Sequence, residues 1–281
     1  MELLADPDAM AAWATRQVVQ GRTIGLVPTM GSLHAGHASL MALLRPRVDQ
    51  LVVSAYVNPL QFGPAEDLDR YPRDPEGDAA LCRSEGVDTL FLPEDLYPEG
   101  FSTSVSVHGL TDRLCGASRP GHFEGVSTVV ARLFGLTRCA LATFGEKDFQ
   151  QLMVLRRMVT DLALPVRILP APLVRDRDGV ALSSRNKFLS AEQRSRAVTL
   201  SSALGTMAAL AAAGTTGAEA LLQRGRALID SDQLEYLELV DAASLQPITA
   251  VDGPSRALVA AHYGSTRLID NIAIGPELSW T

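Results

Sequence analysis

Short apolar runs alternate with amphipathic stretches over the first two-thirds of the chain. The runs are rich in aliphatic and β-branched residues, as buried strands are, and the stretches between them have helical spacing. Strands are predicted at 23–28, 50–57, 89–92, 141–144 and 166–169, and helices at 35–44, 74–85, 123–136 and 148–162. Such alternation indicates βαβ units, and continuous apolar strands indicate a parallel sheet covered on both faces. The pattern predicts an α/β fold.

The pattern changes near residue 173. A polar, hairpin-like stretch at 175–179 precedes a long Ala- and Leu-rich helix predicted at about 190–213, where Ser190 and Gln193 have the spacing of a capping box. A second helix is predicted to end near residue 230, and strands are predicted near 235–240, 256–262 and 267–274. We therefore predict two domains, residues 1–173 and a smaller α+β domain at 174–281.

Composition narrows the class of protein. With 47% hydrophobic and 20% charged residues over 281 positions, the chain is neither disordered nor fibrous. A net charge of −7 argues against a nucleic-acid or anionic-membrane partner. The chain has three cysteines without a Cys-x-x-Cys pair, no apolar run of membrane-spanning length and no basic-then-apolar N-terminal segment. These features predict a soluble, cytoplasmic protein.

The segment Val27–His37 is the strongest local signal for a ligand site. A predicted strand ends there, Gly31 permits a tight turn, and His34 and His37 lie three residues apart where a helix begins. Backbone N–H groups and the positive end of a helix dipole suit a phosphate, and imidazoles can donate to its oxygens. A His-x-x-His zinc site and a pair of structural histidines remain alternatives, although no cysteine or third histidine is near. Walker A and G-x-G-x-x-G patterns are absent from the sequence.

Two amides follow the second predicted strand. Asn58 and Gln61 lie at its carboxyl end, where ligands of open α/β sheets collect. These neutral groups could orient a hydroxylated or carboxylated small molecule. Asn58-Pro59 is equally an ordinary turn signal.

The segment Gly145–Gln151 also lies between a predicted strand and a helix. It contains Lys147, one of only two lysines among the 25 cationic residues. A lysine there can contact phosphates as a compact charge, whereas Glu146 and Asp148 could equally be charges of a solvated helix start.

A third polar segment runs from Val174 to Lys187, the other lysine. Ser183, Ser184 and Arg185 offer two hydroxyls and a guanidinium suited to a polyphosphate. The Asp-x-Asp-Gly within the segment is too short for an EF-hand loop. The alternative interpretation is a hairpin followed by a polar helix start.

Taken together, the segments resemble the pantothenate synthetase (pantoate–β-alanine ligase) family, within the nucleotidyltransferases that carry a His-x-x-His signature. The motifs occur in order over nearly the whole chain: PTMGSLHAGH, AYVNPLQFG, YPRD, GHFEGV, FGEKDFQQ and RDRDGVALSSRNKFL. The resemblance implies a Rossmann-like N-terminal domain, a smaller C-terminal domain that closes over the cleft, and a homodimer. It also implies a Mg²⁺-dependent reaction in which pantoate and ATP form an enzyme-bound pantoyl adenylate, from which β-alanine displaces AMP to give pantothenate.

The resemblance also implies roles for single residues. His37 is expected to be the proton donor, His34 its phosphate-contacting companion and Lys147 a third catalytic group on the phosphates. Gln61 and Gln151 are expected to bind pantoate, and we include Asn58 in the substrate site. The residues expected to bind ATP are Met30, Gly31, Ser32, Leu33, His34, Ala35, Gly36, His37, Gly145, Glu146, Lys147, Asp148, Val174, Leu182, Ser183, Ser184 and Arg185.

Two departures from the family pattern limit which residue roles can be carried over to this chain. Some relatives have adjacent acidic residues where this chain has Glu76-Gly77-Asp78, so the protein ligands of the metal are left unassigned. Ser32 replaces a small apolar residue, with no expected loss of activity. The alternative function is a related nucleotidyltransferase that transfers AMP to a different acceptor.

Overall fold

The structure is a computed structural model that describes residues 1–64 and 66–280. It divides into two compact units. The N-terminal unit contains Met1–Glu146 and Gln150–Pro172, and the C-terminal unit contains Lys147–Phe149 and the chain from Leu173 onward. Because one turn, Lys147–Phe149, packs with the C-terminal unit, no single cut separates the two. Residues 1–173 and 174–281 stay our proposed domains.

A parallel sheet organises the N-terminal unit, and the predicted α/β, Rossmann-like class is confirmed. Its described strands are β1 (Glu2–Leu4), β2 (Ile24–Thr29), β3 (Gln50–Ala55), β4 (Thr89–Phe91), β5 (Leu141–Gly145) and β6 (Arg167–Ala171), in the order β1-β4-β3-β2-β5-β6. The helices are α1 (Pro7–Val19), α2 (Ala35–Leu44), α3 (Pro75–Ser84), α4 (Leu114–Ser118), α5 (His122–Thr137) and α6 (Phe149–Asp161).

The strand order places a topological switch between β2 and β5. From β2 the chain proceeds to β3 and β4 on one side, whereas β5 and β6 lie on the other side of β2. Crevices outside the carboxyl ends of strands at such a switch are where open α/β sheets bind ligands. The segments that begin at Met30 and at Glu146 leave the sheet at this place.

Close packing explains why β2 carries a glycine. A Cβ at Gly25 would lie 2.8 Å from Val48 Cγ1 and 2.9 Å from Leu44 Cδ2. The strand therefore lies directly against α2 and the turn after it. Leu44 belongs to a core cluster that includes Val27, Met41 and Leu51, each completely buried. This packing sets the position at which α2 begins beside the end of β2.

The C-terminal unit is an α+β domain, as predicted. Its described part has an antiparallel sheet of β7 (Gln233–Asp241), β8 (Ser255–Tyr263) and β9 (Thr266–Ile274), with helices α7 (Ala191–Ala212) and α8 (Ala218–Arg226). The capping box at the start of α7 is confirmed: Gln193 N–H donates to Ser190 Oγ at 3.1 Å and Ser190 N–H to Gln193 Oε1 at 2.9 Å. Apolar residues of α7 pack on the sheet around Tyr263 and Val259, both fully buried.

The first 22 residues have no predicted element, and the structure has β1 and α1 there. The signals for α1 were present, because Asp6 caps it and Pro7 occupies its first position. β1 has only three residues and is stabilised by its pairing with β4.

The second predicted helix of the C-terminal region, α8, ends at Arg226, before residue 230. No helix in the described ranges is long and apolar enough to cross a membrane.

Candidate active site

The loop after β2 is held by one carboxylate from α3. Gly31 and Ser32 have positive φ angles of 79° and 52°. In this conformation the N–H groups of Ser32 and Leu33 point at Asp78, whose Oδ2 and Oδ1 accept them at 2.9 and 2.6 Å. Asp78 is only 3% exposed. A buried carboxylate that accepts backbone N–H groups thus compensates a strained turn.

Asp78 is a functional residue that sequence patterns do not predict in this role. The sequence marks it only as part of the segment where some relatives have adjacent acidic residues. Its position 46 residues from Ser32 leaves no local spacing pattern that would connect the two. The polar residue on the buried face of α3 was the available signal, since aspartate is almost never fully buried without partners.

The two histidines cap α2. His34 is the N-cap residue, its Nδ1 accepts from Gly36 N–H at 3.1 Å, and its own N–H donates to His37 Nδ1 at 3.2 Å. The ring centroids are 4.1 Å apart. Because each Nδ1 accepts a backbone N–H, the proton of each neutral ring lies on Nε2. The pair therefore presents N–H donors at the positive end of a helix.

The structure brings the Gln61 amide to Met30, the first residue after β2. Gln61 is 8% exposed, and its Nε2 lies 3.2 Å from Met30 Sδ. Asn58 is 1% exposed, and its Nδ2 donates to Gln61 Oε1 at 3.1 Å and to Gly125 O at 3.0 Å. Asn58 Oδ1 accepts from the Tyr97 hydroxyl at 2.8 Å. Burial raises the pKa of Tyr97, so this hydroxyl remains a donor.

A cavity of about 440 Å³ opens at the carboxyl ends of β2, β3 and β4. Its lining includes Met30, Gly31, Tyr56, Arg73, Asp78 and Glu94. The loop held by Asp78 thus forms part of a concave surface of the size that small ligands occupy.

Adjacent glutamines on α6 have different surroundings. Gln150 is 4% exposed, its Oε1 accepts from Cys115 N–H at 3.0 Å, and its Nε2 donates to Leu110 O and Arg113 O at 2.8 and 2.9 Å. Gln151, the predicted substrate residue, is half-buried. The amide of Gln150 is committed to the backbone of residues 110–115, which favours Gln151 as the one that meets a ligand.

In the C-terminal unit, a chain of contacts holds the turn that carries Lys147. Asn271, 3% exposed, donates from Nδ2 to Lys147 O at 2.9 Å and accepts from Arg256 Nε at 2.7 Å. The Arg256 guanidinium lies 4.2 Å from the centroid of the Phe149 ring. Lys147 Nζ lies 3.8 Å from Asp148 Oδ2, and the lysine side chain is 21% exposed. The backbone of Lys147 is therefore fixed independently of its ammonium group.

The predicted hairpin in this unit is present. Arg175 bridges Ala181, Asp176 N–H donates to Val180 O at 2.8 Å, and Gly179 has a φ of 94°. Arg185 N–H donates to Ser183 Oγ at 3.3 Å in a 3₁₀ turn that follows. The predicted ATP residues of this unit's loop are all half-buried: Val174, Leu182, Ser183, Ser184 and Arg185.

A bidentate ion pair anchors the hairpin to β9. Arg175 Nη1 and Nη2 donate to Asp270 Oδ2 and Oδ1 at 2.6 and 2.9 Å, and the Asp270 side chain is only 3% exposed. Replacing one partner of such a pair leaves the other charge without compensation.

Asp270→Ala is expected to destabilise the C-terminal unit. The Arg175 side chain is 29% exposed and can partly rehydrate, so we expect a loss of about 2–3 kcal/mol, below the usual cost for a fully buried pair. Urea unfolding followed by circular dichroism measures it. Asp161→Ala removes a carboxylate from an exposed pair with Arg157 and should cost less than about 0.5 kcal/mol. Equal losses in the two variants would contradict this account.

The described residues contain no group of three or more His, Cys, Asp or Glu side chains placed to hold a metal ion. Both Asp78 oxygens already accept backbone N–H groups. The described part of the chain thus offers no cage of its own for Mg²⁺.

Comparisons with known proteins agree with these features. The family model described as pantoate-beta-alanine ligase matches residues 2–273. The chain is 48% identical over 280 residues to a pantothenate synthetase of Rhizorhabdus wittichii, covering 98% of this chain and 99% of that protein. A crystal structure of pantothenate synthetase from Thermus thermophilus superposes with a TM-score of 0.93 at 45% identity, over 98% of this chain and 100% of that one.

A third relative was crystallised with ligands. The pantoate-beta-alanine ligase of Francisella tularensis, complexed with beta-gamma ATP and β-alanine, has a TM-score of 0.81 at 31% identity, over 97% of each chain. The resemblance deduced from the motifs and the predicted enzyme class, a ligase, are confirmed. The chain belongs to the pantoate–β-alanine ligase family.

Proposed function

We propose that this chain condenses pantoate with β-alanine, forming pantothenate, AMP and pyrophosphate through an enzyme-bound pantoyl adenylate. The observation that carries the mechanism is the arrangement at the carboxyl end of β2. There the His34–His37 pair caps α2, and the Gln61 amide reaches Met30 at 3.2 Å. A phosphate-binding helix start and a carboxylate-orienting amide thus flank the same loop.

In the first step a pantoate carboxylate oxygen bonds to the α-phosphorus of ATP, and the bond to the pyrophosphate oxygen breaks. Both reactants are anions, so catalysis consists mainly of positioning and of donors aimed at the phosphates. His34 and His37 supply Nε2–H donors there, because their Nδ1 atoms are occupied by backbone N–H groups. We keep His37 as the donating member of the pair, with its Nε2–H directed at the oxygen of the departing pyrophosphate.

Pantoate is bound by Gln61 and Gln151 in this proposal. Neutral amides orient its carboxylate and hydroxyl groups without neutralising the nucleophile. Asn58 belongs to the same site, but its amide is buried and fully engaged with Gln61, Gly125 and Tyr97. We therefore assign Asn58 the task of orienting Gln61.

ATP is bound by the segments that the motifs marked. The residues of the loop after β2 and the start of α2, Met30 to His37, meet the nucleotide with their backbone, since Gly31 and Gly36 leave room there. Gly145–Asp148 and the loop 182–185 with Val174 provide the remaining contacts. Lys147 and Arg185 supply the positive charge on the phosphates.

Mg²⁺, when bound, would be held by the phosphates of ATP and would neutralise part of their charge. In the second step the unprotonated amine of β-alanine attacks the adenylate carbonyl, the amide bond forms, AMP leaves with the bonding pair, and the amine proton is released to water. The homodimer and the cytoplasmic location that the resemblance implies remain predictions.

Isotope exchange tests the proposal. With ATP, Mg²⁺, pantoate and labelled pyrophosphate, we expect label in ATP before β-alanine is added, and AMP with pantothenate afterwards. Exchange without amide formation on adding β-alanine would favour the related nucleotidyltransferase that stops at AMP transfer. No exchange at all would contradict the adenylate route.

A further inference from the structure

The backbone carbonyl of Gln61 is enclosed by side chains that the mechanism has not used. His122 Nδ1 lies 2.8 Å from Gln61 O, and Arg119 Nη2 donates to the same oxygen at 3.3 Å. Arg119 in turn is held by Glu66, which accepts from its Nε and Nη2 at 2.8 and 2.5 Å. The side chains of this ion pair are only 17% and 25% exposed. Two donors thus converge on one carbonyl, and a carboxylate fixes the second donor.

The contacts assign one protonation state to His122. A carbonyl oxygen only accepts, so His122 Nδ1 carries the proton toward Gln61. A guanidinium only donates, so His122 Nε2 accepts from Arg119 Nη1 at 3.0 Å. The ring is therefore a neutral relay between the Arg119–Glu66 pair and the Gln61 backbone.

The first turn of α5 also clamps the Gln61 turn from a second point. A Cβ at Gly125 would lie 2.2 Å from Leu60 O and 2.6 Å from Gln61 N, so helix and turn are in direct backbone contact. Gly125 O accepts from Asn58 Nδ2, which also bonds the Gln61 side chain. Gln61 is consequently held at its carbonyl by His122 and Arg119 and at its amide by Asn58.

We propose that Glu66, Arg119 and His122 form a positioning relay that fixes Gln61 for pantoate. The inference rests on the proposed role of Gln61. Releasing its carbonyl would leave the peptide plane between Gln61 and Phe62 held by the 3.2 Å bond from Phe62 N–H to Pro59 O, about which the plane can tilt and shift the Gln61 amide by a fraction of an ångström. Such misplacement weakens binding and attack without touching the ATP residues. These three are positioning residues, because none of them is assigned contact with substrate.

Two substitutions separate the two ends of the His122 ring. In His122→Asn the amide NH₂ takes the place of Nδ1 and can keep the bond to Gln61. In His122→Gln the longer amide reaches the place of Nε2 and keeps the Arg119 contact but loses the donor to Gln61. We expect His122→Gln to raise KM for pantoate about tenfold with KM for ATP changed less than twofold, and His122→Asn to stay within about threefold of wild type. Melting temperatures of both variants report whether they fold.

A double-mutant cycle with Gln61→Ala completes the test. If the relay acts through Gln61, His122→Gln adds no further change in KM for pantoate once the Gln61 side chain is gone. A full additive effect in that background, equal changes for pantoate and ATP, or an unchanged pantoate KM in His122→Gln would overturn the relay. If His122→Gln leaves the KM for pantoate unchanged while Gln61→Ala raises it strongly, only the relay is contradicted and the proposed role of Gln61 is retained. An unchanged pantoate KM in Gln61→Ala would instead contradict that role and the relay together.

Discussion

Lys147→Ala slows pantoate-dependent exchange of pyrophosphate into ATP by about a hundredfold or more. We expect this because the substitution removes the ammonium group proposed to face the phosphates, and charge aimed at a reacting phosphoryl group contributes several kcal/mol to catalysis. The backbone of Lys147 should stay in place, since its carbonyl is held by Asn271 at 2.9 Å. The loss should therefore appear in catalysis and leave the melting temperature nearly unchanged.

A charge-matched control accompanies this variant. Arg157→Ala also removes one cation, from an exposed position on α6 where the side chain is 56% exposed and pairs with Asp161. Its exchange rate should remain within about twofold of wild type. A Lys147→Ala enzyme that exchanges label at the wild-type rate would show that the lysine has no part in adenylate formation.

Asp78→Ala is expected to have the second large effect. It removes the acceptor of two N–H groups in a turn that holds Gly31 and Ser32 at positive φ. Buried donors without partners cost about 1–3 kcal/mol each, and the turn can relax toward ordinary φ values. The loop that begins the proposed ATP site would then lose its shape, and exchange should fall by about a hundredfold, with a stability loss of about 2–4 kcal/mol.

The test of Asp78→Ala requires both the exchange rate and the free energy of unfolding. Exchange is assayed at a temperature where circular dichroism shows the variant folded, and stability is taken from urea unfolding. Glu76→Ala removes the same charge from the first turn of the same helix at an exposed position, and it should keep the exchange rate within about twofold of wild type and cost less than about 1 kcal/mol of stability. Wild-type exchange in a folded Asp78→Ala enzyme would mean that the loop keeps its shape without the carboxylate.

Local sequence patterns were sufficient to predict most of the helices and strands. The predicted helix at 35–44 matches α2, and the predicted strand at 141–144 lies within β5 (Leu141–Gly145). Both elements consist mostly of apolar residues between polar or turn residues, and such runs are buried in the folded chain. The three-residue strand β1 was missed because so short a run carries no period and is stabilised by its pairing with β4.

In the candidate site, too, the sequence predicts some features and only the structure gives the others. The motifs marked His34, His37 and Gln61 from the sequence, and the structure shows which of their atoms are already engaged. The protons of the two histidines lie on Nε2 because backbone N–H groups occupy Nδ1. No sequence pattern states this, since the hydrogen bonds arise only when the helix start has formed.

By itself, the sequence determined the alternation of strands and helices, the family and the segments that carry the chemistry, because these depend on residue type and on spacing along the chain. Only the tertiary structure decided that Asp78 supports the turn after β2, that Asn58 serves Gln61, and that Arg119 and His122 meet the Gln61 carbonyl. Those partners lie between 3 and 61 residues apart. Hydrogen bonds depend on distances in space, and the folding of the sheet and its helices sets those distances.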